Sequence, residues 1–201
     1  MEKKNTSKEQ SQARDAFDDA FDEFVAEFKG ESDRAAVIIG AAKLDYLLYQ
    51  ILTKYLIPNA GNTDELLDGD SPLSTFSSRI NICYRLGIID AAFARALHLT
   101  RRIRNSFAHE VTGGKLDSGP HRDRIRELAA PYAQTTAYTD AKRAFMHDKT
   151  GAAADFFTVL SILVLRLGGI FDEIESLSSE NSHGLFPPGE YVSPYKDEEE
   201  I

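Results

Sequence analysis

The segment from Ala152 to Leu177 limits the folds open to this chain more than any other. Its apolar residues Phe156, Phe157, Val159, Leu160, Ile162, Leu163, Leu167, Ile170, Phe171 and Ile174 keep a helical period over the whole length. The longest apolar run, Phe156 to Leu165, is too short to span hydrocarbon, and Arg166 ends it. A buried core helix is the reading that remains. No stretch of the chain alternates apolar and polar residues, so no sheet is expected to pack on it. The expected fold is all-α, a helical bundle with this last long helix at its centre, jacketed by the second, third and fourth helices.

The helices that must cover it can be placed from the same period. Phe17, Phe21, Phe24, Val25 and Phe28 mark a first helix, Lys8 to Lys29, with carboxylates on its other face. Gly30 ends it, and Ser32 or Asp33 caps a second helix that runs to about Ile57. The second helix has the stripe Val37, Ala41, Leu44, Leu48, Ile51, Leu52 and Tyr55, and Asp45 lies beside that stripe. A carboxylate there needs a partner, or a path to water. Ser71-Pro72 reads as the start of a third helix through Leu73, Phe76, Ile80, Ile82, Cys83 and Leu86, stopped by Gly87. Asp90 caps the fourth. Residues 111–120 form a loop, and a short basic helix runs from His121 to Ala129. Pro131 to Thr150 is expected to cross irregularly, with a helical turn near Ala141 to Met146.

At 201 residues this is one domain with tails: a disordered 1–7, a bundle over 8–177, and a flexible acidic tail over 178–201 that holds Pro187-Pro188 and Glu198–Glu200. The single cysteine, Cys83, excludes an intrachain disulfide and a cysteine-based zinc cluster and suits a reducing compartment. Met1 to Gln12 has no apolar h-region, so a cytoplasmic location is expected, with no membrane contact. The net charge of −9 opposes broad adhesion to nucleic acid. Yet between Arg79 and Arg126 ten basic residues face four acidic ones, a local +6 against −15 elsewhere. That segment makes either a basic surface on an acidic body or a set of scattered, solvated arginines.

The densest polar stretch lies there: Arg101-Arg102-Ile103-Arg104-Asn105-Ser106-Phe107-Ala108-His109-Glu110. On a wheel with Phe93 at 0°, Ala96, Leu97, Thr100, Ile103 and Phe107 share one face, and Arg104 falls at ~20°, inside it. Arg104 must therefore snorkel, pair with a carboxylate such as Asp45, or enter an interface. Arg101, Asn105 and His109, at i, i+4 and i+8, form a separate polar ridge. Arg104 and His109 lie ~140° apart on a straight helix. They meet only if the helix unwinds near Ala108 or if two chains each lend half a site across a twofold axis. The chemistry on offer is metal-free RNA cleavage. His109 would move a proton to or from the sugar or leaving oxygen, Arg104 would hold the phosphate, and Asn105 would orient the imidazole or the sugar. The alternative is that Asn105 and His109 only finish the helix, where a histidine suits the dipole.

Arg104-Asn105-Ser106-Phe107-Ala108-His109 resembles the Arg-x4–6-His signature of HEPN domains, helical bundles that are often dimeric and often metal-independent ribonucleases acting as toxins or defence effectors. That resemblance implies Arg104, Asn105 and His109 as site residues, and the wheel adds Asp45 and Arg101 in support. Val111 stands where some members carry a tyrosine. A longer stretch, Leu66-Leu67-Asp68-Gly69-Asp70-Ser71-Pro72-Leu73 continued by Ser77-Ser78-Arg79, Tyr84 and Leu86-Gly87-Ile88-Ile89, is similar to the mannitol-operon repressor (MltR) family over roughly residues 30–175. This implies an all-helical transcriptional regulator.

The chain has no helix-turn-helix with a basic recognition helix, no zinc finger and no basic arm. Direct operator binding is not expected, and regulation through protein contacts is. The expected partners are a second copy, a protein such as a transcription factor or an antitoxin, and, under the nuclease reading, RNA. No cofactor or metal is expected. The five histidines lack ligand spacing, and Gly113-Gly114-Lys115 lacks the pattern of a phosphate loop. Asp68-Gly69-Asp70 reads as a capped turn rather than a cation site.

Overall fold

The computed structural model describes Ala26 and residues 30–59, 61, 63–110, 114–145 and 149–178. The acidic tail and nearly all of the expected first helix lie outside them. Six helices follow one another among the described residues: α1 (Asp33–Tyr55), α2 (Phe76–Arg85), α3 (Ala91–His109), α4 (Gly119–Ala129), α5 (Thr136–Phe145) and α6 (Gly151–Glu173). No strand is present among those residues.

The apolar run that opened the sequence becomes α6, with Phe156, Phe157, Val159, Leu160, Leu163 and Leu167 buried. Its start is fixed from a distance. The N-cap, Thr150, makes no side-chain cap bond. Instead Asp117 Oδ1 accepts from Ala152 N at 2.6 Å, supplying a carboxylate to the positive end of the helix. The helix ends at Glu173, earlier than the expected Leu177. There the chain turns extended, and Leu177 N donates to Tyr55 O at 2.7 Å while Lys54 Nζ donates to Phe171 O at 2.6 Å. Contact with the end of α1 thus replaces the last helical turn.

α1 is capped by Ser32, whose side chain accepts from Ala35 N, and it buries Val37, Ala41, Leu44, Leu48, Ile51 and Leu52. It packs directly on α6 at Gly40, where any Cβ would overlap the Leu160 side chain. The close crossing of the two long helices therefore depends on that glycine. α6 is covered by α1, α5 and α4, with lighter contact to α3. The expected jacket is corrected here. α2 packs on α1 and α3, and α5, formed where an irregular crossing was expected, takes a place against α6.

α5 is held by a side-chain bond at its start and by a carboxylate of α6. Thr135 Oγ1 accepts from Tyr138 N at 3.2 Å, and Tyr138 and Ala141 are buried. Tyr138 Oη and Lys142 Nζ both donate to Asp155 Oδ1 of α6 at 2.5 Å. Burial, helped by that carboxylate, drives the Tyr138 hydroxyl pKa upward.

α2 starts at Phe76 rather than at Ser71-Pro72. The Ser71 hydroxyl is spent on Leu66 O at 2.8 Å, closing a turn in which Leu73 N also reaches Leu66 O at 3.0 Å. Gly69 takes a φ of 64° in that turn. Capping passes to Thr75, which forms a reciprocal box with Ser78. α4 begins two residues before the expected His121, with Pro120 in its first turn.

Cys83 is buried between these helices, and burial pushes its thiol up to about 12. At pH 8 only about 1 in 10⁴ molecules then carries the thiolate that reacts. Ellman's reagent should leave the folded protein unlabelled and modify one thiol only as urea unfolds it. Rapid labelling in buffer would show that the α2 packing is wrong.

Candidate functional site

α3 carries the dense polar stretch as a continuous helix to His109, with Asp90 accepting from Phe93 N at 2.7 Å at its start. It does not unwind near Ala108. Its inner face is Leu97, Thr100, Ile103 and Phe107, all buried.

Three side chains from other helices hold its C-terminal end. Arg34 of α1 donates to Glu110 O at 2.8 Å and reaches Ala108 O at 3.5 Å, satisfying carbonyls that have no helical partner. His121 of α4, 3% exposed, stacks on Phe107 with ring centroids 4.3 Å apart. Its Nε2 meets Glu110 Oε1 at 2.6 Å. Arg124 Nη1 donates to Ser106 Oγ at 3.3 Å. Ser106, Phe107 and Glu110 therefore fasten α3 to α4. Sequence reasoning passed over Arg34, His121 and Arg124 because their role depends on which helices meet.

The polar side chains of the motif point into two separate cavities. The first, about 350 Å³, is lined by Ala41, Ala42 and Asp45 of α1, Ser74 to Ser77 around the start of α2, and Arg101, Arg104 and Asn105 of α3. The second, about 460 Å³ and more open, is lined by Arg102, Asn105, Ser106, His109, Glu110 and Arg124. Arg104 and His109 fall on different sides, as the straight-helix wheel requires, and Asn105 borders both cavities.

Of the outcomes open to Arg104, the structure shows a side chain that snorkels: it is exposed, and its Nη1 donates to Asn105 Oδ1 at 3.1 Å. The buried arc of α3 follows Thr100, Ile103 and Phe107, so Arg104 sits on its rim, where a long side chain reaches water. Arg104 does not pair with Asp45. Asp45 Oδ1 accepts from Arg79 Nη1 at 2.9 Å. Arg79 also donates through Nε to Leu73 O at 3.0 Å and through Nη2 to Leu67 O at 3.4 Å, and it lies over the Tyr49 ring at 5.1 Å. Asp68 accepts from Tyr49 Oη at 3.1 Å, which raises the tyrosine pKa. The Asp68-Gly69-Asp70 turn is thus an architectural element clamped onto α1. No group of three or more metal-ligating side chains occurs among the described residues.

His98 sits one turn before the arginines, with Nε2 3.0 Å from Asn81 Oδ1. Burial, followed by the charges of Arg101 and Arg102, lowers its pKa.

No family model matches the chain, and no curated protein is similar to it in sequence. Among solved structures, a chain of the MtlR–HPr complex from Escherichia coli superposes with a TM-score of 0.55 at 18% identity, covering 74% of this chain and 98% of that one. The fold is MtlR-like. The likeness spans nearly the whole of the other chain.

Proposed function

We propose that this MtlR-like bundle is a transcriptional regulator that works by binding another protein rather than an operator. The observation that carries the reading is the fold match to a chain whose crystal structure was obtained in complex with HPr. The acidic net charge, −9, also argues against a mainly electrostatic hold on DNA. The regulator acts in the cytoplasm, and HPr is the first partner to test.

Isothermal titration of the purified full chain with HPr from the same organism is expected to give a saturable 1:1 complex with Kd of about 1–50 µM, in the range of transient regulatory contacts. Absence of heat and of co-elution at about 200 µM, with the chain folded by circular dichroism, would remove HPr as its partner.

A second reading, a metal-independent endoribonuclease of toxin or defence type, is favoured by the second cavity. There Arg102 and Arg124 place two guanidinium groups beside His109 and Asn105. Two cations to hold a phosphate and an imidazole to move a proton supply part of what that reaction needs. Arg104 lies across the helix and joins such a site only through a second copy, so this reading requires a homodimer. The check is incubation with mixed RNA in EDTA, with Arg104→Ala and His109→Ala alongside. Cleavage by wild type alone, leaving cyclic phosphate ends, establishes it; intact RNA with a dimeric protein removes it.

A further inference from the structure

We propose that the first cavity, between α1, the start of α2 and the outer flank of α3, binds a small oxyanion: a phosphate or carboxylate group carried by a small molecule. It stands apart from the partner reading, and three observations converge on it.

Arg101 and Arg104 stand at i, i+3 on one helix and line the same cavity, and neither has an ion pair among the described residues. Carboxylates are not scarce, with 32 acidic residues against 23 lysines and arginines. Four of the twelve described arginines, Arg79, Arg95, Arg126 and Arg143, have carboxylate partners, and Arg101 and Arg104 are among the eight that do not. Like charges at this spacing repel, and an anion between them removes the penalty.

The N-terminus of α2 opens into the same space. The capping box takes the N–H groups of Ser78 and Thr75. Phe76 and Ser77 line the cavity, and their backbone N–H groups have no acceptor among the described residues. These donors and the positive end of the ten-residue helix add to the guanidinium groups.

The single carboxylate in the lining, Asp45, is already paired with Arg79, so the lining carries a net positive charge. A volume of about 350 Å³ lies at the lower end of ligand pockets, with room for an anionic head and a few further atoms.

The test uses the full chain, with inorganic phosphate and malonate titrated separately against sodium chloride at matched ionic strength. At about ten times its dissociation constant, an accepted anion should raise Tm by about 3–5 °C above the chloride control. In ¹H–¹⁵N spectra the amides of Phe76 and Ser77 should move along the same titration. A response to phosphate alone identifies a phosphate head, to malonate alone a carboxylate head, and to both a general oxyanion site.

Arg104→Gln, an exposed position that should not disturb folding, is expected to weaken binding at least tenfold, and Arg101→Gln likewise. Arg95→Gln, which removes an arginine paired with Glu127 outside the cavity, should bind as wild type does. The proposal fails if neither anion exceeds chloride, if Tm rises while the Phe76 and Ser77 amides stay still, or if Arg104→Gln retains full affinity.

Discussion

Replacing Arg79 with alanine is expected to lower the unfolding free energy by about 3 kcal/mol, read as a shift of the urea midpoint at constant slope. The side chain is 13% exposed and joins three parts of the chain. It neutralises Asp45 on α1, satisfies the carbonyls of Leu67 and Leu73, and covers Tyr49. Removing it strands a half-buried carboxylate and two carbonyl groups together, and unmade polar groups cost more than made bonds return. Arg79→Lys should recover only a minor part, because one ammonium cannot serve three acceptors in the plane of a guanidinium. Asp45→Asn should cost less, about 1 kcal/mol, since the carbonyl bonds survive. An Arg79→Ala midpoint equal to wild type would mean that the 66–73 turn is not clamped as described. The prediction also explains why residues 66–79 read as a motif. Much of that stretch, Leu67, Asp68, Gly69, Ser71, Leu73 and Arg79, builds one turn and its clamp.

Phe107→Ala should cost about 3–5 kcal/mol, the range for emptying a phenylalanine site in a packed core. Phe107 is 0% exposed and supports the His121 ring, so its loss also loosens the seam between α3 and α4. Arg104→Ala and His109→Ala, at exposed positions two or three residues away, should change stability by less than about 0.5 kcal/mol. Thermal melts of the three variants check the contrast. It matters for function: a loss of RNA cleavage or partner binding in the Arg104 or His109 variants, with Tm unchanged, reports on the site itself. The same loss in Phe107→Ala reports on the fold. A Tm drop of several degrees in His109→Ala would instead make that histidine a structural helix end.

Periodicity was enough to place α1, α3 and α6, because each is long and carries its apolar residues at helical spacing. It failed at α5, where Tyr138 and Ala141 turn inward and the helix is held by Asp155, seventeen residues away from Tyr138. It also misplaced the start of α2. Ser71-Pro72 carries a sound capping signal, and the turn at Leu66 consumes it. The wheel for α3 correctly separated Arg104 from His109. It placed Arg104 inside the apolar face because a wheel gives angle and not depth.

The sequence by itself determined an all-helical bundle, its apolar last helix, and an arginine-rich stretch that no straight helix can bring to one point. Those conclusions rest on spacing along the chain, which backbone geometry converts directly into faces. Only the tertiary structure decided that Asp45 belongs to Arg79, that His121 and Arg124 hold the end of α3, and that Arg101 and Arg104 look into the open N-terminus of α2. Each of these depends on which surfaces meet across tens of residues. Charges choose partners by distance after packing, and spacing along the chain does not give those distances.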